Sequence, residues 1–293
     1  MPRRFIILTT QRSGSTFLRL WLDSHPEIRA HSEVFLRRND CDDDFCAYLA
    51  RSPFGRFYLR KAQGRKPFSG WAERFLVERF LNELCSDRPP AMPTRPVDAD
   101  GATRWIAQEA SHVAHSAIGF NLMHNQYIAF PPLQGWLWKN QVSVIHLVRR
   151  NLLDPIVSRE LATITKQYHS TVIPNCHDQV TVYLKPEATR TEIANTICAH
   201  RQFSDVFRNS HPYMPVNYEE LTGQQGSMVY HQILDFLEAD TAASVPPPPL
   251  RKVNTLPHHE RVANYDEVIA ALAEADVPLQ FENSLPDPAL PQP

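Results

Sequence analysis

Unbroken apolar runs, rather than alternating ones, mark the strands of this chain. Phe5-Ile6-Ile7-Leu8-Thr9 is one, and Val142-Ser143-Val144-Ile145-His146-Leu147-Val148 is the strongest. Residues 117–122 and 213–218 are two more, and a further strand is expected just before Glu33. Runs of this kind suit strands covered on both faces. Between them the spacing turns helical. Phe17, Leu18, Trp21 and Leu22 predict a helix over 16–22 that Ser24-His25-Pro26 ends. Further helices are predicted over 71–85, 104–116, 153–163, 192–209, 228–238 and 266–275. Strands separated by helices imply an α/β fold, a parallel sheet with helices on both faces.

Proline sets the punctuation. The stretch 86–103 reads as an insertion, the run Pro246 to Pro249 as a stiff connector, and 286–293 as a Pro-rich tail. The remainder, 1–285, reads as one domain. Lys and Arg number 30 against 32 Asp and Glu, so no global cationic field exists to attract nucleic acid. No apolar stretch approaches the roughly 20 residues of a membrane span. Phe5 to Leu8 is too short for a secretory leader, so a cytoplasmic location is expected. The five cysteines form no C-x-x-C pair, which predicts reduced, buried thiols. His112, His115 and His124 lack nearby Cys or carboxylate and read as surface histidines, and no metal is expected. His258-His259 has no evident partner. Asp40 to Asp44 and the basic run from Arg51 to Lys66 read as two solvated faces.

Glycine is scarce, at 9 residues, and this changes the picture. No two glycines make G-x-G, so a literal dinucleotide fingerprint is absent, and no G-x-x-x-x-G-K-[ST] occurs. Yet Thr9-Thr10-Gln11-Arg12-Ser13-Gly14-Ser15-Thr16 sits where a P-loop would, between the first strand and the first helix. Helix-start N–H groups, adjacent hydroxyls and one glycine can cradle a phosphate. The lysine that spans a triphosphate is missing, so the loop suits a phosphate outside a triphosphate. On the residues alone, an ordinary turn with a Ser or Thr cap stands level with that reading. A second run, Arg150-Asn151-Leu152-Leu153-Asp154-Pro155-Ile156-Val157-Ser158, follows the strongest strand. Arg150 and Ser158 suit a second phosphate at the sheet edge where open α/β folds bind ligands. A solvent-facing arginine is the plainer alternative.

Together the two runs resemble the PAPS-dependent sulfotransferases, nearest to bacterial carbohydrate-type, trehalose sulfotransferase-like members. That family carries R/K-S-G-T/S-T and R-N-P-x-D-x-x-x-S, and here Leu152 replaces the usual proline. Val216-Asn217-Tyr218-Glu219-Glu220-Leu221, Gly119-Phe120-Asn121-Leu122-Met123 and Asn264-Tyr265-Asp266-Glu267-Val268 resemble further family segments. The resemblance implies a P-loop-like fold and sulfuryl transfer from PAPS to a hydroxyl, or an amine, of a sugar or small metabolite. It implies that Arg12 stabilises the leaving group while Ser13, Gly14, Ser15 and Thr16 hold the 5′-phosphate. Arg150 and Ser158 would hold the 3′-phosphate, with Tyr218 near the adenine and Lys252 returning to the nucleotide. Glu33 would be the general base, with His31 its competitor. An ATP-using P-loop kinase and a non-catalytic adenosine 3′,5′-bisphosphate-binding protein are the alternatives.

Overall fold

The computed structural model describes residues 2–35, 45–53, 55, 71–86, 115–165, 180–243, 245–248, 250 and 256–281. Five strands are present there: β1 (Arg3–Thr9), β2 (Ile28–Glu33), β3 (Ala117–Met123), β4 (Ser143–Val148) and β5 (Tyr213–Asn217). The helices are α1 (Ser15–Asp23), α2 (Phe45–Ala50), α3 (Trp71–Leu84), α4 (His124–Ala129), α5 (Pro131–Lys139) and α6 (Leu153–Thr165). They continue with α7 (Pro186–Arg208), α8 (Tyr218–Thr222), α9 (Gly226–Phe236), α10 (His258–Arg261) and α11 (Tyr265–Glu274).

All strand pairs are parallel, in the order β2-β3-β1-β4-β5. The expected fold class is therefore the observed one. β1 is the centre of the sheet, and its alternate side chains feed two cores. Ile6 and Leu8 pack with residues of α3, α5 and α7 on one face. Phe5 and Ile7 pack with α1 and α9 on the other, where Trp21 stacks on Tyr230 at 4.3 Å. A third cluster joins Val148, α6, α7 and α11 beyond the end of β4. Because β1 has β3 on one side and β4 on the other, its carboxyl end opens into a crevice at the strand-order switch.

The predicted elements differ from the observed ones in instructive places. The helix predicted to start at residue 192 starts at Pro186, whose missing N–H costs nothing in a first turn. Pro131 and Pro132 likewise open α5, a helix for which no element was predicted. Tyr218, expected to end a strand, starts α8. Residues 115 and 116 are not helical, and the rest of the predicted helix over 104–116 lies outside the described residues. So do nearly all of the expected insertion, the acidic run, most of the basic run and the tail. Among the described cysteines only Cys85 is buried, where burial pushes its thiol up to about 12, while Cys198 is exposed. No helix among the described residues is long and apolar enough to cross a membrane.

Candidate functional site

The loop after β1 is held in shape by its own side chains. Thr9 Oγ1 donates to the Leu147 carbonyl at 2.8 Å, tying the ends of β1 and β4 together, and lies 2.6 Å from Ser13 Oγ. The Ser13 hydroxyl also donates to the Thr10 carbonyl, so this fully buried side chain closes the loop from within. Two residues take positive φ, Arg12 at 63° and Gly14 at 91°. Arg12 adopts a left-handed conformation that non-glycine residues rarely occupy without local strain. Gly14 is required twice over. Its φ disfavours a side chain, and a Cβ there would stand 2.1 Å from the Tyr218 ring. Gly14 caps α1, whose first-turn N–H groups at Ser15 and Thr16 have no intrahelical acceptor. The helix end and its dipole suit an anionic phosphate.

The second run folds onto the first. Asn151 Oδ1 accepts from the amides of Leu153 and Asp154, capping α6 at 3.2 and 3.3 Å. That cap starts the helix that carries Ser158 to Arg12. Arg12 Nη2 donates to Ser158 Oγ at 2.9 Å and Nε at 3.1 Å, joining residues 146 positions apart. Tyr218, at the start of α8, lays its ring over Gly14, and burial raises its phenol pKa.

Arg149, which the sequence reading passed over, is the buried arginine of the pair. It donates to the Arg12 carbonyl at 3.1 Å, ion-pairs with Asp154 at 2.6 Å and sits 4.5 Å from the Tyr218 ring centre. Its Nε is buried without a partner among the described residues. Asp154 Oδ1 also lies 2.7 Å from His258 Nε2, so His258 does have a partner, from α10. Arg150 points elsewhere. Its side chain is 44% exposed and pairs with Glu220, and its backbone N–H donates to Glu219 at 3.0 Å. Lys252 lies outside the described residues.

Glu33 ends β2, beyond β3 from the loop, so roughly 10 Å from β1 at the usual strand spacing. A register shift between His31 and Glu33 re-aims the strand end. His31 is buried, whereas Glu33 is partly open and accepts from Gln126 Nε2 at 3.2 Å. Gln126 is itself fixed, accepting from the Met123 amide at 3.1 Å. Beside the loop lies a cleft of about 630 Å³ lined by Thr10, His124 and, from α7, Glu187, Thr191, Glu192 and Asn195. His124 was expected at the surface and is buried on this wall. Spacing along α7 marks the face that lines the cleft, from Glu187 to Ala199, but Thr10 and His124 come from separate elements and share no spacing with it.

Fold and loop define a P-loop-like α/β protein whose first helix starts at the carboxyl edge of its sheet. The profile of the sulfotransferase domain family matches residues 2–253, and the chain belongs to that family. Its general activity is therefore sulfuryl transfer. Among solved structures it is similar to a sulfotransferase from Alicyclobacillus acidocaldarius, at 15% identity and a TM-score of 0.40. That likeness covers 94% of this chain and 95% of the other. No curated protein matches the chain.

Proposed function

We propose that the chain moves a sulfuryl group from PAPS to a hydroxyl, or an amine, of a sugar or small polar metabolite in the cleft. The observation that carries this reading is the Arg12–Ser158 contact, which joins two separately encoded anion motifs at one corner. Bound PAPS supplies the sulfuryl group, whose S–O bond to the 5′-phosphate breaks as a bond to the acceptor forms. The amides of Ser15 and Thr16 and the Thr16 hydroxyl hold the 5′-phosphate, and Gly14 lets it approach. Arg12 neutralises the charge that builds on the leaving oxygen. Ser158 orients the Arg12 guanidinium and meets the 3′-phosphate, and Arg150 joins it by leaving its exposed pair with Glu220. Tyr218 covers the adenine side of the cradle. At the end of β2, the Glu33 carboxylate takes the acceptor's proton, with Gln126 holding one of its oxygens.

Two measurements test this. Adenosine 3′,5′-bisphosphate should raise the melting temperature, while ATP with magnesium should not. Stabilisation by ATP alone would return the reading to a P-loop kinase. Labelled PAPS with a panel of sugars and polyols should then give a sulfated product. Glu33→Gln should lower its turnover by roughly 10²–10⁴-fold while leaving bisphosphate affinity intact. Binding without transfer to any acceptor would leave a non-catalytic nucleotide-binding protein.

A further inference from the structure

Behind the cleft wall, three histidines with no part in this transfer scheme converge from three elements. His124 is the first residue of α4, His146 lies within β4 and His200 lies on α7. All are buried, at 6%, 0% and 1% exposure. His124 Nε2 and His200 Nδ1 each stand 3.2 Å from His146 Nε2, and the three nitrogens lie within 4.8 Å of one another.

Hydrogen bonding alone serves this arrangement poorly. A ring nitrogen offers one in-plane site, holding either a proton or a lone pair. Two neighbours at 3.2 Å cannot both lie along that one direction. Three lone pairs turned toward a shared centre have no such conflict. Zinc–nitrogen bonds of about 2.0–2.1 Å in tetrahedral geometry place ligand nitrogens roughly 3.3 Å apart. The surroundings support the ligand role. His146 Nδ1 lies 2.8 Å from the Tyr213 hydroxyl, which is 2.9 Å from Ser204 Oγ. Such an outer contact leaves the opposite ring nitrogen available for an ion. Burial also lowers all three pKa values, that of His200 to about 4, so the rings stay neutral near pH 7. His124 lines the cleft and so provides a way in.

We propose that His124, His146 and His200 form a binding site for a divalent transition-metal ion of the zinc class, entered from the cleft past His124. A donor set of imidazole nitrogens favours zinc, cobalt or nickel over magnesium or calcium. The ion would fasten β4 and α7 to the helix that follows β3, behind the cleft wall that His124 and α7 form.

The test uses tag-free, chelator-treated full-length protein and Co²⁺ as probe. One equivalent should saturate, give visible d–d absorption and be displaced by Zn²⁺, and Zn²⁺ should raise the melting temperature. His124→Asn and His200→Gln should each weaken Co²⁺ binding at least ten-fold, with unchanged far-ultraviolet circular dichroism. His231→Gln, exposed on α9, should not. Should the buried variants fail to fold, the ring ¹⁵N resonances of wild-type histidines provide an independent readout. Three buried rings should shift together on adding one equivalent of Zn²⁺. No saturable binding, shifts confined to exposed histidines, or binding that survives in both folded variants would overturn the site and leave a hydrogen-bonded histidine cluster.

Discussion

Asp154 and Glu73 are both enclosed carboxylates, each in the first turn of its helix, at 7% and 1% exposure. A helix start favours negative charge at either place. Their surroundings differ entirely. Asp154 meets Arg149 from the end of β4 and His258 from α10, partners 5 and 104 residues away. Glu73 has no hydrogen-bond partner among the described residues, and burial pushes its carboxyl up to about 7. The comparison teaches where this chain stores its charge. Around the loop, the Arg149 guanidinium faces Asp154, and the pair shapes the site. Glu73 has no such partner among the described residues, and burial favours its protonated form.

The largest expected effect breaks the first half of that contrast. Asp154→Ala would leave Arg149 charged, buried and without its carboxylate, which typically costs about 3–5 kcal/mol. Arg149 also holds the Arg12 carbonyl, so affinity for adenosine 3′,5′-bisphosphate should fall along with stability. Chemical denaturation and calorimetric titration check both, and a loss under about 1 kcal/mol would mean other contacts hold this corner. Next comes Arg12→Ala, with turnover reduced about 10²–10³-fold. Its side chain is partly open, so the melting temperature should barely move. Near-normal turnover of labelled PAPS would remove Arg12 from the leaving-group role.

How much of this was legible beforehand follows the same division. The strands were visible because parallel strands buried on both faces are mostly apolar, as in Val144-Ile145-His146-Leu147-Val148, where only His146 is polar. The loop was visible because its work is done by backbone and by contiguous residues. Gly14 and its neighbours announce a tight turn wherever they occur after a strand. What escaped depends on partners far apart in sequence. Arg149 and Arg150 are adjacent, and motif register favours Arg150, yet only packing decides which one turns inward beside Asp154. His124, His146 and His200 share no spacing, since one opens a helix, one sits in a strand and one lies far along α7. His258 was set aside because its partner lies 104 residues earlier.

Glu73→Gln sharpens the second half of the contrast through pH. The folded carboxyl titrates near 7, above its ordinary value of 4.5, so the folded state binds the proton more tightly. Below pH 4.5 the group is neutral whether folded or unfolded, and its full contribution is present. As pH rises through the interval up to 7 the unfolded chain ionises first, and that stability is progressively lost. Glutamine cannot ionise. The variant should therefore gain on wild type across this window, by about 1–3 kcal/mol at pH 8, the scale of an unsatisfied buried group. Parallel denaturation curves at pH 5 and pH 8 check it, and equal differences at both would place Glu73 among solvated acids.

The smallest expected effect lies on the rim of the cleft, where charge is neither enclosed nor needed for folding. Arg190 pairs with Glu187 at 2.7 Å, one turn away on α7, with side chains 36% and 73% exposed. Such pairs contribute a few tenths of a kcal/mol and are screened by salt. Arg190→Ala should leave the melting temperature within about 1 °C of wild type, since its stability contribution is so slight. It also releases the Glu187 carboxylate at the mouth of the cleft. A change in KM for the acceptor, with bisphosphate affinity untouched, would assign the α7 wall to the acceptor. A change in bisphosphate affinity instead would mean that the α7 wall faces the nucleotide.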